Sequence, residues 1–437
     1  MKSPHSRNPI AAFAWDHKGG LALSLLLVFV MQFIEYHGWL AGEEGRILDF
    51  YVKYVPRLGG SKVTAPIVTV EIDDMDYATC FKDQSPLNPQ TIQSLLEGLI
   101  GDVAVRHPSV LGIDILTDAE HLSDSAYSGL RALPASYAQT QLIWTAPLLG
   151  AAPYAPSFWA WMGGAEDELK VEAGSVLGYS PATAIPKSVQ WAIPVFPTEE
   201  DLRLRRFPRQ VKELGFDKEP ETWAATVATA YRRGPAGPSV RDVIVTYDGP
   251  LEQFRMGALF DCKEEPKPSG TSTPRMALTP HDDVMAKFRR LVAEADPIVL
   301  VGGTFAKARD EYQTSDGPRF GLHINAYAMQ ADLAGHVVRE AWRPVLIVLD
   351  VIVGISIVVI FSNPDPSIRR KMRRSLLVLP GAFLLSTTAF WLGFLWLSVI
   401  GVATGMMPHL LVEIYGEDPQ IKHSGPRAHA RRHGKSR

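Results

Sequence analysis

The chain has 437 residues, a formal net charge of −3, and 46% hydrophobic against 21% charged residues. A near-neutral chain has no broad basic surface for a phosphate backbone, so nucleic-acid binding is not expected. Hydropathy is uneven along the sequence: four apolar stretches sit at the two ends, and about 300 residues of ordinary globular sequence separate the first from the second.

The first stretch runs from Leu21 to Ile34 and extends towards Leu40. Lys2, Arg7 and Lys18 precede it. No small-x-small cleavage site follows; Glu35, Tyr36, His37 and Trp39 stand there instead, so an uncleaved anchor over 21–41 is expected after a basic cytoplasmic tail, 1–20. The second stretch covers 342–362. A long apolar block follows from Leu376 to Tyr415. About 20 residues cross a hydrocarbon core of about 30 Å, so the block reads as two spans, 375–393 and 396–415, with a turn near Gly393. Trp391, Phe394 and Trp396 fall where an interfacial belt would place them.

Charge sets the direction. The loop 363–374 carries Arg369, Arg370, Lys371, Arg373 and Arg374, and the tail 416–437 carries Lys422, Arg427, Arg431, Arg432, Lys435 and Arg437. Basic short loops stay in the cytoplasm, and four spans put all three basic segments on that side. The domain 42–341 then lies outside the cytoplasm, on an inner-membrane, multi-pass protein.

Within that domain, Pro66–Asp73 reads as a strand. Asn88-Pro89 is an N-cap followed by proline at the first helical position, and Ile92, Leu95, Leu96, Leu99, Ile100 and Val103 follow at helical spacing. Ser109–Ile115 is a second strand, which makes a βαβ unit with parallel strands. Further strands are expected at Gln141–Leu148, Trp191–Phe196, Val243–Tyr247 and Pro297–Gly302. Helices are expected at Glu221–Arg233 and His323–Leu333, the latter after a loop, Thr304–Gly321. The fold class is α/β, a mixed, partly parallel central sheet flanked by helices, with four transmembrane helices. The segment 234–274 is rich in Pro, Gly, Ser and charge, and reads as a mobile insert.

Few residues suggest chemistry. Cys80 and Cys262 both fall in the domain; an oxidising compartment permits a bond, and the sequence leaves open whether they bond or stay free thiols. No zinc-type cluster occurs. Glu71, Asp73, Asp74 and Asp76 offer hard oxygen ligands, but a carboxylate at a strand end also caps the loop that follows. Asp114 ends the second strand and would meet Asp73 or Asp74 if the two strands were neighbours, at the end of the sheet where ligands of open α/β sheets bind. Val301–Thr304 can form an anion cradle or a plain tight turn. Arg205 and Arg206 can fork onto a carboxylate or phosphate, or form a salt-bridged face. Glu35 and Asp350 lie near the outer ends of their spans, solvated or bonded to a neighbouring helix. No catalytic residue, cofactor or metal is assigned.

Four segments resemble one family. They are GRILDFYVKYVP after the first span, with Arg46 and Asp49; IVTVEIDDMD, ending in Asp73 and Asp74; the helix followed by VLGIDI, ending in Asp114; and IVLVGGTFAKARDEYQTSDGPRFGLHINAYAMQADL, with Gly302, Asp310, Gly321 and Ala326. A weaker fifth is EEDLRLRRFP, with the basic pair Arg205 and Arg206. Over residues 43–340 the chain resembles the type-2 CHASE domain, a bacterial extracellular sensory domain. Asn325 stands where the family often has histidine. The resemblance implies a ligand-binding sensory role, with Asp73, Asp74, Asp114, Arg205, Arg206, Asp310 and Asn325 as candidate contacts. Family members often carry a cyclase or kinase after the last span, and only about 20 polar residues follow Tyr415 here. The expected protein is therefore a sensor that signals through its helices to a separate effector. The expected partners are the lipid bilayer, an unknown periplasmic ligand, that effector and a second copy of the chain. A non-enzymatic assembly subunit, or an envelope enzyme built on the strand-end carboxylates, are the rival readings.

Overall fold

The structure is a computed structural model. It describes residues 18–55, 66–85, 87–101, 107–115, 128–145, 151–154, 157–163, 168–171, 189–192, 202–208, 212–213, 221–232, 242–244, 251–264, 276–333, 339–362, 373–374, 377–393 and 395–398. In chain order the elements begin with α1 (Lys18–Tyr36), α2 (Ala41–Tyr54), β1 (Ile67–Ile72), α3 (Asp74–Cys80), α4 (Pro89–Ile100), β2 (Val110–Asp114), α5 (Ser128–Ser136) and β3 (Gln141–Thr145). Next come β4 (Ala151–Tyr154), α6 (Phe158–Met162), β5 (Glu168–Val171), β6 (Val189–Ala192), β7 (Arg203–Leu204), β8 (Arg206–Pro208), β9 (Lys212–Glu213) and α7 (Trp223–Arg232). They continue with β10 (Asp242–Ile244), β11 (Glu252–Arg255), α8 (Met256–Leu259), β12 (Phe260–Glu264), β13 (Met276–Pro280) and α9 (Asp282–Ala295). The last are β14 (Ile298–Gly303), β15 (Glu311–Thr314), β16 (Gly317–Phe320), α10 (Gly321–Leu333), β17 (Arg339–Glu340), α11 (Arg343–Ser362), α12 (Val378–Gly393) and β18 (Leu395–Trp396). Two compact units divide them: residues 1–44, 157–165 and 340–437 in one, 45–156 and 166–339 in the other.

The larger unit is built on a six-stranded sheet in the order β11-β1-β14-β2-β3-β6. Every neighbouring pair in it is parallel, so the sheet is wholly rather than partly parallel. A parallel sheet needs cover on both faces, and its inner strands are accordingly rich in valine, isoleucine and leucine. On one face Val68, Val70, Ile72, Leu111 and Val299 meet Ile92, Leu95 and Leu96 of α4 and Phe288 of α9. On the other, Ile67, Val110, Ile298 and Leu300 meet Trp223 and Val227 of α7 and Leu322 and Ile324 of α10. The start of α4 is as the sequence predicts: the Asn88 side chain accepts from the amides of Gln90 and Thr91, with Pro89 at the first turn.

Three expectations for this unit are corrected. First, β1 and β2 are not neighbours, because β14, about 180 residues further along the chain, lies between them and pairs with both. Second, the segment 234–274 is not simply a mobile loop. It supplies β10, and β11 extends the sheet at the edge beside β1. Phe254, Met256, Leu259 and Phe260 are buried; averaging composition over the whole segment hides this short apolar run, while the Pro- and Ser-rich part, 265–275, lies outside the described residues. Third, the expected loop 304–321 contains the hairpin β15–β16.

In the smaller unit, α1 and α11 are long and apolar enough to cross a membrane. They pack antiparallel. Gln32 Nε2 donates to Asp350 Oδ2 at 2.8 Å, and Arg343 Nη1 lies 2.6 Å from Glu35 Oε2. Further along the pair, beyond the Gln32–Asp350 tie, a Cβ on Gly354 would collide with the Ser24 hydroxyl, so the helices touch through a small residue. Both carboxylates therefore bond to the neighbouring helix, the sharper of the two readings above. Four spans are expected; among the described residues, two helices are long and apolar enough. The third, α12, has 16 residues, short of the about 20 that a span needs. It stops at Gly393, where the turn was expected. Leu395–Trp396 form β18 instead of opening a helix, and 394 and 399–415 lie outside the described residues. Trp396 is buried rather than facing outward as a belt residue. Arg369, Arg370 and Lys371 lie outside the described residues, which include Arg373 and Arg374.

Candidate functional site

Three parallel strands define one row of side chains. Glu71 of β1, Gly302 of β14 and Asp114 of β2 stand side by side in register, at the C-terminal end of the sheet. Residues paired this way project to the same face, here the face covered by α10. The middle strand has no side chain at this level. A Cβ on Gly302 would lie 3.0 Å from Leu322 and 3.1 Å from the Asp114 Cβ, so glycine lets α10 settle against the strand ends.

Helix α10 is buried from Gly321 to Asp332. A helix buried all round is normally apolar all round, yet this one carries His323 and Asn325. Each meets an acid of the row below. His323 Nε2 is 2.9 Å from Glu71 Oε1, which also accepts from the Thr69 hydroxyl at 3.1 Å. Asn325 Nδ2 donates to Asp114 Oδ2 at 3.3 Å. Asn325 itself is 1% exposed, and its Oδ1 is buried with no hydrogen-bond partner.

Asp310 completes the cluster. Its carbonyl accepts from the Gly321 amide at 2.8 Å, and its carboxyl is bonded by Tyr312 and by the backbone of Gly321. Burial nevertheless pushes Asp310 up to about 6. Burial first, then the charge of Asp310, pushes Asp114 up to about 7 against the Asn325 hydrogen bond. The Tyr312 phenol is raised by burial and by Asp310. Two carboxyls in one poorly solvated site do not ionise together at low cost, so this pair holds a proton near neutrality.

The other candidate residues have different surroundings. Asp73 is the N-cap of α3 in a reciprocal box: the Asp76 amide donates to Asp73 Oδ1 at 2.9 Å, and the Asp73 amide to Asp76 Oδ2 at 3.3 Å. Asp74 accepts from the Ala306 amide at 2.9 Å. The row that Asp114 joins is with Glu71 and α10, not with Asp73 or Asp74. Arg205 is 2% exposed and forks onto Asp49, Nε to Oδ1 at 2.8 Å and Nη2 to Oδ2 at 3.0 Å. Arg203 Nη1 reaches Asp49 Oδ2 at 2.8 Å. A Cβ on Gly45 would lie 2.6 Å from the Arg205 guanidinium carbon, so this clamp needs glycine one turn before Asp49. Arg205 is thus occupied inside the fold rather than offered to a ligand. Arg206 lies in β8, in a separate ladder with β10. In the glycine turn, the Thr304 amide donates to the Ile72 carbonyl at 2.9 Å, which takes one donor from any anion cradle. Cys80 and Cys262 are joined in a disulfide, Cα to Cα 5.4 Å. Among the described residues no group of three or more His, Cys, Asp or Glu is placed to hold a metal ion.

Sequence reading missed His323, Tyr312 and the role of Asp49. The available signal was polarity out of place: a histidine and an asparagine among the apolar residues of the first half of α10, and a glutamate on a buried strand.

The chain thus combines a parallel α/β sheet, a polar cluster at the C-terminal end of that sheet, and two long apolar helices. The CHASE2 domain family matches residues 22–361, and the chain belongs to it. The match includes both long apolar helices as well as the domain between them. CHASE2 domains are extracellular sensory domains. No curated protein and no solved structure gives a significant match to the chain.

Proposed function

We propose that the protein is a bacterial inner-membrane receptor in which the cluster Asp114–Asp310–Asn325, with Glu71, His323 and Tyr312 beside it, reads a ligand outside the cytoplasm. In this reading α1 and α11 cross the membrane and pass the change to an effector protein. The observation that carries the reading is the half-used amide of Asn325, whose Nδ2 bonds Asp114 while its Oδ1 is buried without a partner. A buried acceptor without a partner costs about 1–3 kcal/mol, and a ligand that donates a hydrogen bond to it recovers that cost. The carboxyls of Asp114 and Asp310 in the same cluster favour a ligand that is cationic or rich in N–H and O–H groups. A ligand moves a helix pair only through its different affinity for two arrangements, and α10, wedged against the strand ends, is the element that a bound molecule would displace.

The test is a thermal-shift screen of the full-length protein in detergent against amines, amino acids and sugars, with Asp114→Asn and Asn325→Ala run in parallel. The reading expects a stabilising compound whose shift falls at least about tenfold in concentration dependence in both variants, the size of one lost hydrogen bond to a charged group. A stabilising compound that acts equally on all three proteins would overturn this site. Purification from gently solubilised membranes tests the other half: a co-purifying kinase or cyclase identifies the effector, and a homo-oligomer alone favours an assembly role.

A further inference from the structure

The smaller unit contains nine residues that come from the middle of the domain's sequence, 157–165. They carry α6, opened by Ser157, whose hydroxyl accepts from the Ala160 amide. The helix is aromatic, FWAWM, and it packs on α1. Phe158 meets Phe29 at 5.6 Å, Phe33 at 5.9 Å and Tyr36 at 5.3 Å, ring centre to ring centre. Trp161 also meets Tyr36, at 5.6 Å, and is buried beneath the Arg343 guanidinium, 4.0 Å from the ring centre, while Arg343 pairs with Glu35. Trp159 touches Phe29 at 6.2 Å but remains 71% exposed.

Depth follows from α1. Phe29 stands seven residues inside Tyr36, the end of the helix, which is about 10 Å at about 1.5 Å of rise per residue. On the reading that α1 crosses a bilayer, whatever touches Phe29 lies below the outer headgroups. Phe29 and Phe33 are 42% and 41% exposed beside Trp159, so the apolar surface is continuous from the spanning helix onto α6. The sequence suits such a place. No charged residue occurs between Arg131 and Glu166, in a chain that is 21% charged. Tryptophan favours this depth because its ring is apolar and its N–H remains hydrogen-bonded at the interface.

We infer that residues 157–163 are an interfacial foot, a re-entrant aromatic turn of the sensory domain that inserts Trp159 among the outer-leaflet lipids while Phe158 and Trp161 grip α1 and Arg343. The foot gives the domain a membrane contact separate from its two spanning helices, and Trp159 is its lipid-facing residue. An amphipathic element of this kind sits about 5–10 Å into the headgroup and acyl boundary.

The inference rests on the membrane reading above, and one experiment separates the two. Trp159→Cys and Ile352→Cys are made in the full chain, where Cys80 and Cys262 are tied to each other and do not label. Each new thiol takes an environment-sensitive fluorophore, and the proteins are reconstituted into phosphatidylcholine–phosphatidylglycerol vesicles with nitroxide on the lipid chain, shallow or deep. Trp159 is 71% exposed, so replacing it removes little packing. Ile352, 52% exposed on α11, reports the span. The expected result is that shallow nitroxide quenches the label at 159 by about half or more, and more strongly than deep nitroxide does, as its interfacial depth requires; the label at 352 is quenched by deep nitroxide. Quenching at 352 without quenching at 159 overturns the foot and leaves the spans standing. No quenching at either position overturns both.

Discussion

Asp114 keeps its proton in the folded protein at pH values where an exposed aspartate has lost it. Its carboxyl is raised from 3.8 to about 7, mainly by burial, and Asp310 to about 6. A group with a raised native pKa binds more protons folded than unfolded, so stability falls as pH rises through the window between the two values, by up to about 1.4 kcal/mol per pH unit for each group. The stability contribution is complete below 3.8 and gone above about 7. Urea midpoints of the full chain across that window should therefore decline, and Asp114→Asn, which cannot ionise, should flatten the decline. An unchanged slope in the variant would assign the effect elsewhere. At the Asp49 clamp the prediction concerns stability alone. Asp49→Ala takes the forked carboxylate away from the buried Arg205, and breaking a buried ion pair costs about 3–5 kcal/mol, read as a lower urea midpoint at constant pH.

At the scale of elements, β14 and α10 hold the site together. Gly302→Val would push α10 off the strand ends, and overpacking of this kind costs about 1–3 kcal/mol. It should also abolish any ligand-dependent thermal shift, whereas a surface substitution of equal stability cost should not. The disulfide ties the end of α3 to β12, across 182 residues of chain. Replacing both cysteines by serine should cost about 2–5 kcal/mol, measured by chemical denaturation without reductant; a change below about 0.5 kcal/mol, the range of ordinary surface substitutions, would show that the bond contributes little. How much of this was readable beforehand varies by element. β1, α4, β2, α7 and β14 announce themselves through local hydrophobic period and caps such as Asn88-Pro89. β11 does not, because a four-residue edge strand in a Pro- and charge-rich segment has no periodic signal of its own.

At the scale of the whole molecule, α1 and α11 are predicted to remain a pair. Ser24 and Gly354 face each other closely enough that Ser24→Cys with Gly354→Cys should cross-link on mild oxidation, counted as the loss of both new thiols; thiols that stay free would contradict the antiparallel packing of the two helices. The layout of this molecule was in the sequence: apolar stretches near both ends, basic segments flanking them, and enough matching residues to place the domain in its family. These features are local, fixed by hydropathy and by short runs of residues that keep their meaning wherever the chain goes. The site was only half written there. Asp114, Asp310 and Asn325 could be named from the sequence, but neither composition nor spacing could say that β14 would enter between β1 and β2. That single insertion separates Asp114 from Asp73, puts Gly302 between Glu71 and Asp114, and lowers His323 and Asn325 onto the two acids. The same holds for Asp49 and Arg205, and for Cys80 and Cys262: each pair meets only because the tertiary fold, a non-local property that costs loop entropy, brings distant segments side by side.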